Sequence, residues 1–144
     1  MIDQFKDEYA FLSNFYPVMI YDFENEIIYP SVEHAFQANK TISIEVRKII
    51  AMLPTPGKAK RAGQLVVLRD DWEKVRVDIM GKLLLQKFNN GYLQGLLMST
   101  KPHKLVECNE WHDNFWGVCI CARCAFFHKG ENTLGKLLME IRDK

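Results

Sequence analysis

The residues best suited to chemistry lie within one stretch, residues 31–40. At about 100° per residue, a helix would align Glu33, Gln37 and Lys40 along a single stripe. Glu33 and Lys40 would then lie roughly 10 Å apart along the axis, which is too far for the usual i,i+4 ion pair. This carboxylate and amine suit a ligand with an electrophilic carbon near one end and anionic oxygens near the other. A solvated polar face is the alternative that the same spacing permits.

The elements that must position this stretch are indicated by cap and turn residues. Ser31 is predicted to cap a helix of about three turns, because its hydroxyl can accept a hydrogen bond from a first-turn N–H. Residues 18–21 and 27–29 predict a short β-hairpin that leads into it. Residues 11–17 predict an ordered loop, in which Asn14 is either a core-anchored turn residue or a ligand hydrogen bond.

The rest of the chain is predicted to be mainly helical. Helices are expected at residues 44–53, 56–63, 72–89, 92–99 and 132–142, and strands at residues 104–107 and 115–120. Three cations on the second of these helices, Lys58, Lys60 and Arg61, indicate either a phosphate site or a solvated basic face. Trp72 belongs either to the core or to a pocket wall. Asn132 is predicted to cap the last helix.

Length and composition bound the possibilities. A chain of 144 residues that is 48% hydrophobic predicts one compact domain over residues 1–144 with a real core. Nineteen Lys and Arg residues against eighteen Asp and Glu residues leave no net charge that demands a polyanionic partner. The first residues resemble no export signal, and no apolar run is long enough for a membrane span, so we expect a cytoplasmic protein.

The four cysteines are concentrated in the last third of the chain: Cys108, Cys119, Cys121 and Cys124. In a reducing compartment such thiols stay free or bind metal, which makes a disulfide scaffold the least favoured interpretation. With His112 or His128 they include enough soft ligands for a structural zinc site. The spacing lacks the paired Cys-x2-Cys knuckles of zinc ribbons, so free thiols in and beside a strand are the favoured interpretation.

Taken in order along the chain, its motifs resemble those of the YbiA-like family, also called the NADAR domain. The matching segments are Phe11-Leu12-Ser13-Asn14-Phe15, Ser31-Val32-Glu33-His34-Ala35-Phe36-Gln37-Ala38-x-Lys40, Arg69-x-Asp71-Trp72, Lys87-Phe88, Leu105-x-Glu107, Asp113-x-x-Trp116-Gly117 and Gly130-x-Asn132-x-Leu134-Gly135-x-x-Leu138-Met139-x-x-Arg142. They run from residue 11 to residue 142, which is nearly the whole chain.

The resemblance implies an α+β, mainly helical single domain with about six helices and a small β-hairpin or short sheet. It also implies an N-glycosidase, a hydrolase of the C1–N bond between a ribosyl group and a base. The implied substrates are small ribosyl-phosphate molecules, such as riboflavin-pathway intermediates, or ADP-ribosyl-guanine, with ADP-ribosylated nucleic acid as a further partner. The resemblance implies neither a cofactor nor a metal.

The site residues that the resemblance implies are polar positions and two aromatic walls: Asn14, Glu33, Lys40, Asp113, Asn132, Trp72 and Trp116. Breaking a glycosidic bond builds positive charge on the sugar, so a nearby carboxylate stabilises the transition state. Glu33 is the first candidate for this carboxylate and Asp113 the second. Lys40 is either a phosphate clamp or an amine that attacks the anomeric carbon and forms a Schiff base.

Further substrate contacts are predicted around these catalytic candidates. Gln37 lies on the same stripe as Glu33. Trp116 followed by Gly117 suits the stacking of a base, with glycine allowing close approach, although Trp116 could equally be core. Glu107 could support the site, and Asn132 with the N–H groups after it could bind phosphate.

Two functions without catalysis compete with the enzyme. The same residues would permit a module that senses ADP-ribose or NAD without cleaving it. A zinc-stabilised nucleic-acid or interaction domain is favoured only if the cysteines hold metal and the basic face of residues 58–61 adjoins them.

Overall fold

The computed structural model describes residues 1–144 and is mainly helical, which confirms the predicted fold class. A 3-10 helix, Asp7–Leu12, precedes seven α-helices, one more than the sequence predicts. They are α1 (Val32–Ala38), α2 (Ile44–Ala51), α3 (Pro56–Gly63), α4 (Trp72–Phe88), α5 (Gly91–Ser99), α6 (Ala122–Phe127) and α7 (Thr133–Asp143). None of these helices is both long and apolar enough to cross a membrane.

The strands form two separate pairs. The strands β1 (Ile20–Asp22) and β2 (Ile27–Tyr29) are antiparallel, which confirms the predicted hairpin. The strands β3 (Cys108–Asn109) and β4 (Val118–Cys119) are parallel.

Backbone contacts divide the chain into two compact units. The central unit comprises residues 14–90 and the terminal unit comprises residues 1–13 and 91–144. Each unit is described separately below, and the expectation of one domain over residues 1–144 stays a prediction.

The central unit is built around α1, every residue of which is buried. Ser31 caps this helix as predicted, because its hydroxyl accepts a hydrogen bond from the backbone N–H of His34 at 3.1 Å. The same hydroxyl lies 2.7 Å from Nδ1 of His34, and Nε2 of that ring lies 2.9 Å from the carbonyl oxygen of Leu53. Helices α2, α3 and α4 contact α1, so the capped helix forms the core of the unit.

Helix α1 ends earlier than the sequence predicts. Its last residue is Ala38, and Asn39 follows as the C-cap, so Lys40 lies beyond the helix. The Asn39 side chain donates to the carbonyl of Ala35 at 2.7 Å, and the N–H of Lys40 donates to the carbonyl of Gln37 at 3.2 Å. These local bonds replace the next helical turn, as Asn side chains commonly do near helix ends.

The terminal unit contains the second strand pair, which is shifted from its predicted position. The predicted strand at residues 104–107 pairs instead with the N-terminus, where Ile2 bridges Leu105. The pairing of β3 with β4 begins at Cys108, just after the predicted strand ends. Its first hydrogen bond joins the N–H of Val118 to the carbonyl of Glu107 at 2.8 Å. Pairing partners this distant in sequence are not visible in local residue patterns.

Candidate functional site

The Glu33 carboxylate lies inside the central unit rather than on a solvated face. Its residue is 7% exposed and Gln37 is 5% exposed, which excludes the solvated polar stripe. The Gln37 amide donates to Oε1 of Glu33 at 2.8 Å, and the N–H of Glu33 donates to the carbonyl of Asn14 at 3.1 Å. Helix α1 therefore holds a buried carboxylate whose orientation is fixed by a neighbouring amide.

Lys40 is half-buried, and its charge interacts with that of Glu33. Burial lowers the pKa of Lys40; the Glu33 carboxylate acts in the opposite direction, and the Lys60 ammonium lowers it again. The Lys40 Nζ lies 6.0 Å from the centroid of the Phe36 ring. Partial desolvation together with the charge of a carboxylate is a combination that tunes the proton transfer and nucleophilicity of an amine.

Arg69 fixes the backbone that carries Lys40, and sequence reasoning assigned it no role. Its N–H donates to the Lys40 carbonyl at 2.8 Å, and its guanidinium donates to the Asn39 carbonyl at 3.4 Å. The guanidinium also forms two bonds with Asp71, from Nε to Oδ1 at 2.6 Å and from Nη2 to Oδ2 at 3.2 Å. The sequence signal was present in the Arg69-x-Asp71-Trp72 motif, but it carried no indication that Arg69 reaches Lys40.

Trp72 packs beside α1 as a buried side chain. Its ring centroid lies 5.1 Å from that of Phe36, with the two planes tilted by 53°. The N–H of Trp72 donates to the carbonyl of Arg69 at 3.2 Å, so Arg69 links Trp72 to Lys40. Since Trp72 is 6% exposed, packing explains most of its surface, and a contact with substrate stays a prediction.

Two buried amide oxygens near Glu33 have no hydrogen-bond partner within the protein. They are Oδ1 of Asn14 and Oε1 of Gln37. The Asn14 amide nitrogen lies 3.6 Å from the Met80 sulfur, which is a weak acceptor. The Asn14 amide oxygen accepts no hydrogen bond from the protein. Because an unpaired buried acceptor is costly, these oxygens are candidates to accept bonds from a ligand hydroxyl or amine.

The basic helix α3 provides one cation to this region. Lys58 and Arg61 are exposed, as the solvated interpretation predicts, whereas Lys60 is half-buried and its charge affects the pKa of Lys40. Thr55 caps α3 by accepting from the N–H of Lys58 at 3.2 Å. The candidate anion contact on this helix is therefore Lys60.

Asp113 lies in the terminal unit, where its carboxylate orders a loop. Its Oδ1 accepts from the N–H of Phe115 at 3.1 Å and from the N–H of Trp116 at 2.9 Å. The N–H of Asp113 donates to Oδ1 of Asn109 at 3.1 Å. These bonds are those of a turn-forming Asp, and a catalytic role for Asp113 stays a prediction.

Gly117 lies where the surrounding protein leaves no space for a side chain. A Cβ at this position would lie 3.2 Å from the carbonyl carbon of Glu107 and 3.0 Å from the Asn109 side chain, so the space is filled by the protein itself. Packing within the protein therefore accounts for this glycine, and close approach of a base to Gly117 stays a prediction. Trp116 is half-buried and contacts Phe115 edge-on, with ring centroids 4.9 Å apart. Stacking of a base on Trp116 stays a prediction.

Asn132 occupies the N-cap position of α7, as the sequence predicts, but its side chain does not cap the helix. It has a left-handed backbone, with φ of 53°, and its side chain makes no cap bond. Instead its Oδ1 accepts from the N–H of Glu107 at 3.0 Å and its Nδ2 donates to the carbonyl of Leu105 at 2.9 Å. The next two N–H groups donate to the Phe115 and Trp116 carbonyls. They are therefore not available to a phosphate as the sequence suggested.

Lys87 is a second unusual lysine, for which the sequence indicates no role beyond its place in the Lys87-Phe88 motif. It is 1% exposed, and burial lowers its pKa to about 7. Its Nζ lies 5.1 Å from the centroid of the Phe88 ring and 5.5 Å from that of Tyr16. A lysine in such surroundings is unusual enough to be a functional candidate in its own right.

One cluster in the terminal unit has the composition of a metal site. The potential ligand atoms of His112, Cys119, Cys121 and Cys124 all lie within 4.8 Å of one another. Cys108 is a free thiol outside this group.

Comparison with known proteins agrees with the family resemblance. The NADAR domain model matches residues 2–144. The chain is 36% identical over 143 residues to N-glycosidase YbiA of Escherichia coli (strain K12), an alignment that covers 96% of this chain and 82% of that protein. It is 33% identical over 142 residues to N-glycosidase Npun_R5314 of Nostoc punctiforme, with coverage of 94% and 85%.

A plant protein and a solved structure extend this comparison. The chain is 31% identical over 129 residues to riboflavin biosynthesis protein PYRR, chloroplastic, of Zea mays, which covers 81% of this chain and 20% of that protein. The NMR structure of Escherichia coli YbiA superposes with a TM-score of 0.80 at 36% identity, covering 99% of this chain and 85% of that one. The names of the bacterial relatives support an enzyme of the hydrolase class, as the sequence predicts.

Proposed function

Because this chain belongs to the NADAR domain family, we propose that it is an N-glycosidase that hydrolyses the C1–N bond between a ribosyl group and a nitrogenous base. The observation that carries the proposal is a buried carboxylate, Glu33, whose charge acts on the pKa of a partly desolvated amine, Lys40. Both groups lie in the central unit, where the N–H of Arg69 donates to the backbone carbonyl of Lys40.

Glu33 supplies the negative charge that the reaction needs. As the C1–N bond lengthens, positive charge develops on C1 and on the ring oxygen of the sugar. A carboxylate held by the Gln37 amide is already oriented, so it stabilises this charge without reorganising. The same carboxylate can accept a proton from the attacking water.

Lys40 has two possible roles in this reaction. As a nucleophile, its Nζ forms a bond to C1 while the C1–N bond to the base breaks, and the base leaves with a proton. Opening of the sugar ring then gives an imine, which water hydrolyses to regenerate the amine and release the sugar. As a clamp, its ammonium holds phosphate oxygens together with Lys60.

The remaining predicted contacts are assigned to the substrate. The unpaired oxygens of Asn14 and Gln37 would accept hydrogen bonds from sugar hydroxyls. Roles for Asp113, Trp116 and Glu107 rest on the family resemblance. Gly117 and Asn132 would act through the loop they order, since both are engaged within the terminal unit.

Two substrate classes deserve direct comparison. The name of the maize relative refers to riboflavin biosynthesis, which supports testing pyrimidines that carry a ribosyl 5-phosphate. ADP-ribosylated guanosine, free or in a nucleic acid, is the second class, because Lys40 and Lys60 together suit either a monophosphate or a diphosphate.

The first experiment measures release of free base from each substrate class. Glu33→Gln is expected to lower kcat by roughly 10²- to 10⁴-fold while retaining the fold, because it removes the charge and preserves the shape. Glu45→Gln, an exposed glutamate on α2, is the matched control and should retain turnover. Tight binding of either substrate with no product from the unmodified protein would support a sensor and contradict the proposal.

The role of Lys40 is decided by a second experiment. If Lys40 is the nucleophile, borohydride added during turnover should trap the sugar on this residue, and Lys40→Arg should be as inactive as Lys40→Ala. If it is a clamp, no adduct forms and Lys40→Arg keeps most of the activity. Lys48→Ala, which removes an exposed lysine on α2, is the control. Near-normal turnover of Lys40→Ala excludes the residue from the mechanism.

A further inference from the structure

The cysteine cluster of the terminal unit has the dimensions of a tetrahedral metal site. Nδ1 of His112 lies 3.2 Å from Sγ of Cys124, 3.6 Å from Sγ of Cys121 and 3.8 Å from Sγ of Cys119. In a zinc site with Zn–S near 2.3 Å and Zn–N near 2.0 Å, tetrahedral angles place a ring nitrogen about 3.5 Å from each sulfur. The three observed N···S distances lie on both sides of this value, and all four ligand atoms lie within 4.8 Å of one another, so small shifts complete the shell.

Several local features bring these ligands together. Cys121 is the N-cap of α6, and its sulfur accepts from the N–H of Cys124 at 3.4 Å, which places the two cysteines on one turn. Cys119 is the last residue of β4, and its N–H donates to Oδ1 of Asn114 at 3.0 Å. His112 has a left-handed backbone, with φ of 69°, which turns the chain sharply just before this loop.

We propose that His112, Cys119, Cys121 and Cys124 bind one Zn²⁺ ion as a structural site. Three thiolates and one imidazole complete a closed tetrahedral shell and leave no position for a substrate or water, which is typical of structural rather than catalytic zinc. Binding breaks three S–H bonds, releases three protons to solvent and forms three Zn–S bonds. His112 binds through the lone pair of Nδ1, and its remaining ring proton resides on Nε2.

The ligand set favours zinc over other first-row metals. Soft thiolates select zinc, copper(I) or iron–sulfur chemistry, and a mixed Cys3His set in tetrahedral geometry is typical of zinc. Cys119 and Cys124 are buried, at 2% and 4% exposed, so the ion would be shielded from competing ligands on that side. This proposal replaces the expectation, drawn from the family resemblance, that the chain binds no metal.

The site would fasten one loop at both ends. His112 precedes the segment that carries Asp113 and Trp116, and Cys119 follows it. A metal bound to both residues would restrain that segment in the same way as a short crosslink. None of its four ligands has a role in the proposed N-glycosidase chemistry, so metal content can be tested separately from that activity.

Metal content is the direct test. Protein purified without added zinc and without chelator is expected to contain about one zinc per chain by elemental analysis. Cys121→Ser, which changes the most accessible of the cysteine ligands, should lose most of this zinc while disturbing the core least. Cys108→Ser is the matched control, because Cys108 is a thiol outside the cluster, and it should keep the full equivalent.

Two further measurements use the unmodified protein, so they do not depend on how a variant folds. Substitution with Co²⁺ should give thiolate-to-metal charge-transfer bands and visible bands typical of tetrahedral cobalt. A thiol reagent should label one cysteine rapidly in the zinc-loaded protein and all four after a strong chelator is added. Less than about a tenth of an equivalent of zinc, together with no uptake of Zn²⁺ or Co²⁺ by the reduced protein, would overturn the proposal.

Discussion

At the scale of single residues, the central unit contains two lysines in very different surroundings. Lys40 is half-buried and shares its electrostatic environment with Glu33 and Lys60. Lys87 is 1% exposed, and burial alone lowers its pKa to about 7. A buried amine is a cost to folding whenever it is charged, so each lysine links the stability of the protein to pH.

Replacement of Lys87 should make this linkage measurable. Between pH 7 and pH 10 the unfolded chain binds a proton at Lys87 that the folded protein has lost, so the free energy of unfolding should rise with pH across that window. Below pH 7 both states are protonated and the cost is constant. Lys87→Met should remove a rise on the order of a few kcal/mol. Urea titrations of both proteins at several pH values measure the difference.

A matched variant on the same helix provides the control. Lys82 of α4 is exposed and pairs with Asp78 at 3.0 Å. Lys82→Met should leave the slope of stability against pH unchanged, because folding does not bury this exposed side chain. Equal slopes for the unmodified protein and Lys87→Met would contradict the assignment of a lowered pKa to Lys87.

At the scale of elements, the packing of α3 on α1 determines where Gln37 and therefore Glu33 can lie. A Cβ at Gly63 would approach Cδ of Gln37 to 2.7 Å, closer than real carbon atoms come. The helices thus meet at a position where one has no side chain and the other has a buried amide. The contact between Gly63 and Gln37 therefore helps to hold the Gln37 amide, which in turn orients the Glu33 carboxylate.

Gly63→Ala should therefore be destabilising, although alanine usually favours helices. We expect a loss of about 1 to 3 kcal/mol in the free energy of unfolding, because the new methyl group must displace a buried side chain. Gly57→Ala on the same helix is the control, since its Cβ would meet nothing nearer than 4.0 Å and should be neutral or slightly stabilising. Thermal or urea unfolding measures both. A neutral Gly63→Ala would show that Gln37 moves freely and that its amide does not orient Glu33.

The elements also show which parts of the site could be predicted from the sequence. The start of α1 could be predicted, because Ser31 and the N–H that it caps are only three residues apart. Its end could not be, because the Asn39 side chain competes with the helix through a local bond. Asn132 was assigned to a cap for the same local reason, yet its partners, Leu105 and Glu107, lie about 25 residues away. Long-range partners of this kind leave no periodic signal.

At the scale of the whole molecule, the two units contain different kinds of site residue. The buried carboxylate and the partly desolvated amine belong to the central unit, and the Cys3His cluster belongs to the terminal unit. The cysteine spacing left a zinc site open but favoured free thiols, and the position of His112 depends on a left-handed backbone that the sequence does not indicate. The family resemblance gave no indication of it.

Removal of metal should therefore affect the two units unequally. If zinc fastens the loop between His112 and Cys119, chelation should increase amide hydrogen exchange across residues 109–130, because the crosslink through the ion is lost. Helix α1 is buried throughout and holds no proposed metal ligand, so its amides should keep their protection. Exchange measured by mass spectrometry before and after chelation tests this.

The control for that experiment is Cys121→Ser. Its exchange over residues 109–130 should already resemble that of the chelated protein, and a chelator should change it little further. Cys108→Ser should behave like the unmodified protein in both conditions, because its thiol lies outside the cluster. Equal exchange with and without chelator in a protein that contains a full equivalent of zinc would mean that the ion binds without ordering the loop, and the structural role assigned to it would be wrong.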